Sequence, residues 1–483
     1  MGILSNLEPR PVFHYFEEIC GMPHGSSNTK QISDYCAHFA EKRGLKYIQD
    51  DSNNIIIFKP GTAGYEQSAP VILQGHLDMV CERENDCQIN MAEEGLVLQY
   101  EDGVISAKGT TLGGDDGIAI AYALAILDST DIPHPPLEAV FTVDEEIGML
   151  GAAALDCSPL KSHTMLNMDS EDEGYLLVSC AGGITVKGHL PVKRFPAGGK
   201  KAYLSIKGLL GGHSGIEIDK GRANACKLLG RTLYALKKEF SFLLCSVQGG
   251  LKDNAIPREA TATLLIRDDV DTQKILARTA ALEQAYQREY RLTDDGVQLS
   301  LILSETEEMD AMTPESSRNV IAALVNLPNG IQRMSYDIEG LVQTSLNLGI
   351  LNTSEKEVTY SYAVRSSVET EKMALAEQIQ CLTEILGGTV ENSGAYPAWE
   401  YRQDSPLREL MVAVFEEQYG KKPVIQAIHA GVECGLFAGS IPDLDCVSFG
   451  PDMKDIHTPK ETLDVGSTQR TWNYILEILK RLR

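Results

Sequence analysis

Apolar positions recur at helical spacing over 11–20 and 29–43, and Gly44 stands just past the second stretch, where a helix end favours glycine. Short apolar runs at 54–58, 71–75, 137–143 and 165–167 read as strands. Between them, 117–127 and 148–155 read as helices, and a hairpin is predicted around Glu101, Asp102 and Gly103. Strands alternating with helices predict an α/β fold: a mostly parallel sheet flanked by helices. A glycine-rich patch at 181–183 marks the exit from this first part. From about 395 the pattern returns, with a helix at 405–419, strands at 424–428 and 446–449, and an amphipathic helix at 467–482. The segment between, 186–394, has longer alternating strands and fewer short loops.

That middle segment carries a weak internal repeat. NAIPREATATLLIR, from Asn254 to Arg267, lines up with NTSEKEVTYSYAVR, from Asn352 to Arg365, with Asn, Glu, Thr and Arg coinciding. A stretch around Arg222 has a counterpart around Arg318. Two related halves are the expectation.

The chain has 483 residues, which at about 150 per domain suggests roughly three units. Its 43 Lys+Arg against 68 Asp+Glu leave a net charge of −25. Such a surface repels phosphate backbones and anionic lipid, so no nucleic-acid or membrane partner is expected. The longest apolar run, 117–127, falls short of the ~18 residues a bilayer span needs. The opening Met-Gly-Ile-Leu-Ser-Asn lacks the charged and apolar regions of a secretory signal, and Asn6 breaks the myristoylation pattern. Eleven scattered cysteines without a CxxC pair predict reduced thiols and a cytoplasmic protein.

Chemistry concentrates at strand ends. VILQGHLDM, from Val71 to Met79, closes an apolar strand with His76-x-Asp78, and alternate residues of a strand share a side. His76 can therefore face a metal while Asp78 orients the ring. GTTLGGDDG, from Gly109 to Gly117, lacks both the GK[ST] of a phosphate loop and GxGxxG, and its two aspartates would repel phosphate. Its glycines suit a carboxylate crowded against a metal. VDEEIG, from Val143 to Gly148, sets three acids after a strand, a desolvation liability unless a cation sits there. One glutamate could bind metal while the other acts as general base. Asp169 ends another strand, and His457 falls in the loop after a C-terminal one. In an open parallel sheet ligands bind beyond the carboxyl ends of the strands. Two histidines with three carboxylates match a two-metal hydrolytic site, and imidazole with carboxylate favours Zn²⁺, with Mn²⁺ or Co²⁺ as alternatives. Two divalent ions contribute +4, which three carboxylates and a hydroxide balance.

These five blocks, in this order, resemble the M20 family of metallopeptidases and amidohydrolases, and in particular its aminoacyl-histidine dipeptidase branch. GHLDMV, GTTLGGDDG, DEEIGM, NMDSEDEGYLLVSCAGG, FGPDMKDIHTP and IHAGVECGLFAG carry the resemblance, which covers essentially the whole chain. It implies a di-zinc exopeptidase-like catalytic domain over 1–185 and 395–483, with an inserted α+β lid over 186–394. His76 and Asp169 would bind one ion, Glu146 and His457 the other, and Asp115 would bridge them. Asp78 would orient His76, and Glu145 would be the general base. GGHSG, from Gly211 to Gly215, resembles the lid motif whose histidine, here His213, contacts the scissile carbonyl. Met309 stands where a second such histidine would fall. Asn254 and Arg365 resemble lid residues that hold substrate, Arg365 by gripping a free α-carboxylate. Asp116, Asp144, His429 and Glu433 receive no role.

The expected activity is hydrolysis of unblocked dipeptides, of the Xaa-His and β-alanyl-His type, by a monomer or homodimer. A tripeptidase or an N-acyl amino-acid hydrolase on the same scaffold is the alternative.

Overall fold

The computed structural model describes residues 2–483. The chain divides into two compact units, one comprising 1–179, 401–427 and 432–483, the other 180–400 and 428–431. The sequence pattern puts the changeovers near 185 and 395. It also gives no sign that 428–431 sits with the second unit.

The first unit is built on an eight-stranded sheet. Its order is Lys46–Gln49, Ile55–Lys59, Leu137–Thr142, Val71–His76, Thr164–Asn167, Asp445–Ser448, Tyr175–Cys180 and Val424–Ile428. The central strands Leu137–Thr142, Val71–His76, Thr164–Asn167 and Asp445–Ser448 run parallel. The neighbours on one side, Ile55–Lys59 and Lys46–Gln49, join antiparallel. A short turn links those two strands, and only an antiparallel pair can be closed that way. The central strands need crossovers, and helices supply them.

Helix Gly114–Asp128 is one crossover. Every residue from Gly117 to Leu127 is buried, because the helix lies between strand Val71–His76 and helix Arg10–Cys20. A helix apolar on all sides fits that place and no surface one. Helix Val465–Arg481 buries Thr468, Trp472, Ile475 and Leu479, a single stripe. Its Trp472 stacks on Tyr122, whose hydroxyl donates to the Thr468 carbonyl at 2.9 Å. Ser405 caps helix Pro406–Tyr419 and Asp464 caps Val465–Arg481 with their side-chain oxygens.

A second, four-stranded sheet orders Met453–Lys454, Thr462–Asp464, Val104–Ala107 and Leu98–Glu101. The predicted hairpin is the pair Leu98–Glu101 with Val104–Ala107. This small sheet brings the loop after 107 beside the loop between 454 and 462, which holds His457.

The second unit is a nine-stranded antiparallel sheet with four long helices, Ala225–Lys237, Thr272–Glu289, Pro314–Asn326 and Glu369–Ile385. The sheet runs Gln298–Met312, Arg194–Lys207, Ala260–Ile266, Phe242–Gly249, then Val342–Thr353, Glu357–Ser366, Gly182–Pro191 and Thr389–Tyr396, with Gly330–Met334 beside Val342–Thr353. The two groups of four mirror one another about the Gly249–Leu351 pairing. Ala260–Ile266 and Glu357–Ser366 occupy corresponding places, as do the helices beginning at Thr272 and Glu369. The Arg222–Arg318 correspondence does not carry over, because Arg222 precedes its helix whereas Arg318 lies inside Pro314–Asn326.

Candidate metal centre

The carboxyl ends of the parallel strands converge. His76 ends its strand, Glu145 and Glu146 follow Leu137–Thr142, and Asp169 follows Thr164–Asn167. Asp115 enters from the start of helix Gly114–Asp128, where Asp115 and Asp116 leave helical geometry. Gly75 makes that approach possible. A Cβ there would lie 2.5 Å from Asp116 Oδ2 and 2.8 Å from the Ala119 Cβ.

Asp115 is the hinge of the cluster. Its Oδ1 lies 3.0 Å from His76 Nε2, and its Oδ2 lies 3.2 Å from His457 Nε2. His457 Nε2 is also 3.0 Å from Glu146 Oε1, and His76 Nε2 is 3.5 Å from Asp169 Oδ1. His76, Asp115, Glu146, Asp169 and His457 are thus brought together in two groups that share Asp115. His457 adopts a left-handed φ of 61° to reach it, a strained backbone of the kind found at functional sites.

The His76 ring is oriented from behind. Its Nδ1–H donates to the Asp78 backbone carbonyl at 2.9 Å, which turns Nε2 into the cluster. The Asp78 carboxylate, expected to orient this ring, is 3.6 Å from Nδ1. It also accepts the Ser26 hydroxyl at 2.8 Å and the backbone N–H groups of Glu145 at 3.0 Å and Glu146 at 3.4 Å. Asp144 folds the same loop by accepting the Ser27 N–H at 2.5 Å. Asp116 is buried and accepts the His76 N–H through Oδ2 at 3.1 Å, while its Oδ1 has no partner. Groups close enough to share an ion are His76–Asp116–Asp169, His76–Glu145–Glu146 and Asp115–Glu146–His457. Asp116 therefore stays near the cluster, but only Asp115 presents one oxygen to each histidine.

Two acids escaped the sequence reading. Glu433, wholly buried, accepts Gln74 Nε2 at 2.5 Å and the Thr142 hydroxyl at 2.7 Å through Oε2, with Oε1 unpartnered. Gln74 and Thr142 lie on adjacent central strands and Asn167 donates to Gln74, so this polar layer sits directly beneath the strand ends. Glu461, also buried, accepts the backbone N–H groups of 112–115. Glu433 falls within IHAGVECGLFAG but receives no role there, and Glu461 falls in no motif.

Electrostatics shows what the cluster lacks. Burial, with Glu433 and Glu146 nearby, lifts the Glu145 carboxyl to about 8 against the pull of His76. Burial likewise lifts Asp169 to about 8. Asp115 is held low by His457 and His76 despite its burial, and its bonds to Asp115 and Glu146 raise His457 to about 10. Five carboxylates, Asp78, Asp115, Glu145, Glu146 and Asp169, face two imidazoles, so the cluster stays anionic even with both rings charged. The ion pairs these acids make among the described residues are with His76 and His457 alone, and buried acids without a compensating cation take up protons. The donor set, imidazole nitrogens and carboxylates with an orphaned oxygen on Asp116, fits divalent cations.

In the second unit His213 lies on the short strand Gly212–His213, paired with Ala255–Ile256. Its Nδ1 accepts the N–H groups of Gly215 at 3.1 Å and Ile216 at 3.2 Å, leaving Nε2–H as donor. Burial and the nearby Arg365 keep this ring neutral by lowering its pKa. Asn254 is exposed, and its carbonyl accepts the Ser214 N–H at 2.8 Å, one residue from His213. Arg365 donates to the Tyr396 hydroxyl at 2.8 Å, and its buried Nε has no partner. His429 bonds the Ser345 hydroxyl at 2.7 Å, and burial with the Arg365 charge pushes its pKa down to about 3.

Fold and cluster together are those of a metallopeptidase, and the chain belongs to peptidase family M20/M25/M40, which its residues 72–481 match. It is 38% identical to the cytosol non-specific dipeptidase of Escherichia coli (strain K12), an alignment covering 100% of this chain and 99% of that one. The aminoacylhistidine dipeptidase of Vibrio alginolyticus superimposes with a TM-score of 0.92 and 36% identity, over 99% of this chain and 98% of that one. A tripeptidase from Staphylococcus aureus, at 14% identity and a TM-score of 0.54 over 99% of both chains, shares the fold alone.

Proposed function

We propose that the chain is a metal-dependent dipeptidase that cleaves unblocked dipeptides, Xaa-His and β-alanyl-His among them, in the cytoplasm. The observation that carries this reading is Asp115 presenting Oδ1 to His76 and Oδ2 to His457. His76 and Asp169 would hold one cation, Glu146 and His457 the other, with Asp115 between them. Zn²⁺ suits these donors best, with Mn²⁺ or Co²⁺ as alternatives. When bound, such cations supply Lewis acidity toward the substrate carbonyl and the attacking water.

The chain's own groups do the rest. Glu145 takes the proton of the attacking water and returns it to the leaving amine nitrogen. Asp78 holds Glu145 in place through its backbone N–H. His213, with a proton on Nε2, is the donor suited to an oxyanion. Arg365, with a free Nε, is the group suited to a substrate carboxylate, and Asn254 to a neighbouring carbonyl. The mirrored halves of the second unit are read as a fused pair of lids, and 186–394 as the inserted lid domain. None of the eleven cysteines forms a disulfide among the described residues, and no helix is long and apolar enough to cross a membrane.

The test is a hydrolysis panel of Xaa-His, β-alanyl-His, other dipeptides, tripeptides and acetylated amino acids, run with Zn²⁺, Mn²⁺ and Co²⁺. Turnover of free dipeptides that exceeds turnover of tripeptides and acetylated amino acids is expected. The reverse order would replace this reading with a tripeptidase or an acylase.

A further inference from the structure

Segment 112–115 turns four consecutive backbone N–H groups toward one side chain. Glu461 Oε2 accepts from Leu112 at 2.8 Å and Gly113 at 3.1 Å. Its Oε1 accepts from Gly114 at 2.8 Å and Asp115 at 3.4 Å. Converging N–H groups of this kind form an anion site. Here the anion belongs to the chain, and Glu461 is only 2% exposed. The loop that has the composition of a phosphate cradle is therefore already filled.

Glu461 lies four residues beyond His457, and the turn between them is closed. The Glu461 N–H donates to the Thr458 carbonyl at 3.1 Å, and the Thr458 hydroxyl to the Asp455 carbonyl at 2.7 Å. One short turn thus carries both His457, which faces Asp115 Oδ2, and the carboxylate that fixes the Asp115 main chain. Asp115, with φ −81° and ψ 105°, departs from the geometry of the helix that contains it, so no helical bond fixes its place.

We infer that Glu461 is a positioning residue that couples the two cation positions, by clamping the turn bearing His457 onto the backbone of Asp115. The inference rests on the two-cation reading above. Glu461 touches neither substrate nor cation. Glu461 already sits in its four N–H groups, so His457 and Asp115 share one frame. That sets Asp115 with an oxygen toward the other position, so filling one position prepares the other.

The test is calorimetric titration of cation-free wild type, E461Q and E461D with Co²⁺, followed by the visible absorption of the bound metal and by melting temperature. In E461Q an amide N–H₂ faces two of the four donors. Wild type is expected to take up two ions. E461Q should bind its first ion within about threefold of wild type and its second at least tenfold more weakly, with an altered absorption band. E461D, whose carboxylate is one methylene short of the nest, should fall between them and carries the test if E461Q does not fold. Two ions bound by E461Q with wild-type affinities and absorption would overturn the role of Glu461. So would an equal weakening of both ions alongside a lower cation-free melting temperature, which marks mere scaffolding. A wild type that takes up fewer than two ions would overturn the two-cation reading itself.

Discussion

The carboxylate of Asp78 accepts the backbone N–H of Glu145 at 3.0 Å. The ring of His76, two residues earlier, meets Asp78 through its backbone carbonyl. One residue therefore sets two directions: the His76 lone pair by its main chain and the Glu145 loop by its side chain. Removing the side chain should disturb the loop and spare the ring. Asp78→Asn is expected to keep its cations, measured by metal analysis, and to lose kcat by about 10–100-fold, as partners of ligand residues do. Loss of metal with normal kcat per bound ion would reverse that assignment.

Glu146 faces His457 and Asp144 is held by the Ser27 N–H, which leaves Glu145 as the acid of this loop whose carboxylate is free for a proton. Glu145→Ala should retain cations and lose kcat by at least ~10²-fold, the contribution of a positioned general base. A near-normal kcat would remove Glu145 from the chemistry.

Arg365 has a buried Nε without a partner, and no carboxylate pairs with it among the described ion pairs. Arg365→Ala should raise KM for free dipeptides by about 10–100-fold, the worth of a charge-assisted bond of ~1.5–3 kcal/mol. The same variant should be indifferent to dipeptides whose C-terminus is amidated. Equal losses on both substrates would place Arg365 in the fold alone.

Away from the cluster, Glu173 accepts Arg470 Nε at 2.8 Å and the Tyr419 hydroxyl at 2.7 Å. Burial works against its charge, yet Arg470 and Tyr419 hold its carboxyl below the usual range. A carboxyl depressed in the folded state stabilises the fold fully above its unfolded value of about 4.3, and the contribution fades as pH falls through the folded value. Because Arg470 is half exposed, Glu173→Gln should cost only about 1 kcal/mol at pH 7. Denaturant unfolding of both proteins should show that gap closing below pH 4. A gap that persists or widens in acid would contradict the ion pair.

The strand-ending acids and His76 are legible because short, continuous apolar runs end at them. His76 and Asp169 follow from that alone, and the parallel order of four strands puts them on one edge. Asp144 looks identical to Glu145 and Glu146 in a row of acids, and only its bond to the Ser27 N–H separates it. Ser26, Glu433 and Glu461 are illegible for a different reason: each acts on residues at least 50 positions away, which no local spacing encodes. Asp78 is legible from its place two residues after His76, but the bonds its carboxylate accepts from Ser26 and the Glu145 loop are not. The stretches around Arg222 and Arg318 do not correspond, because Arg222 precedes its helix and Arg318 lies inside one.

Two cations sharing Asp115 are the centre of the proposed chemistry. They are tested most directly by the activity of cation-free protein restored with measured amounts of Zn²⁺ and read against bound metal per chain. Turnover of a dipeptide should rise until two ions are bound and then level off. Full activity at one tightly bound ion would contradict the shared site.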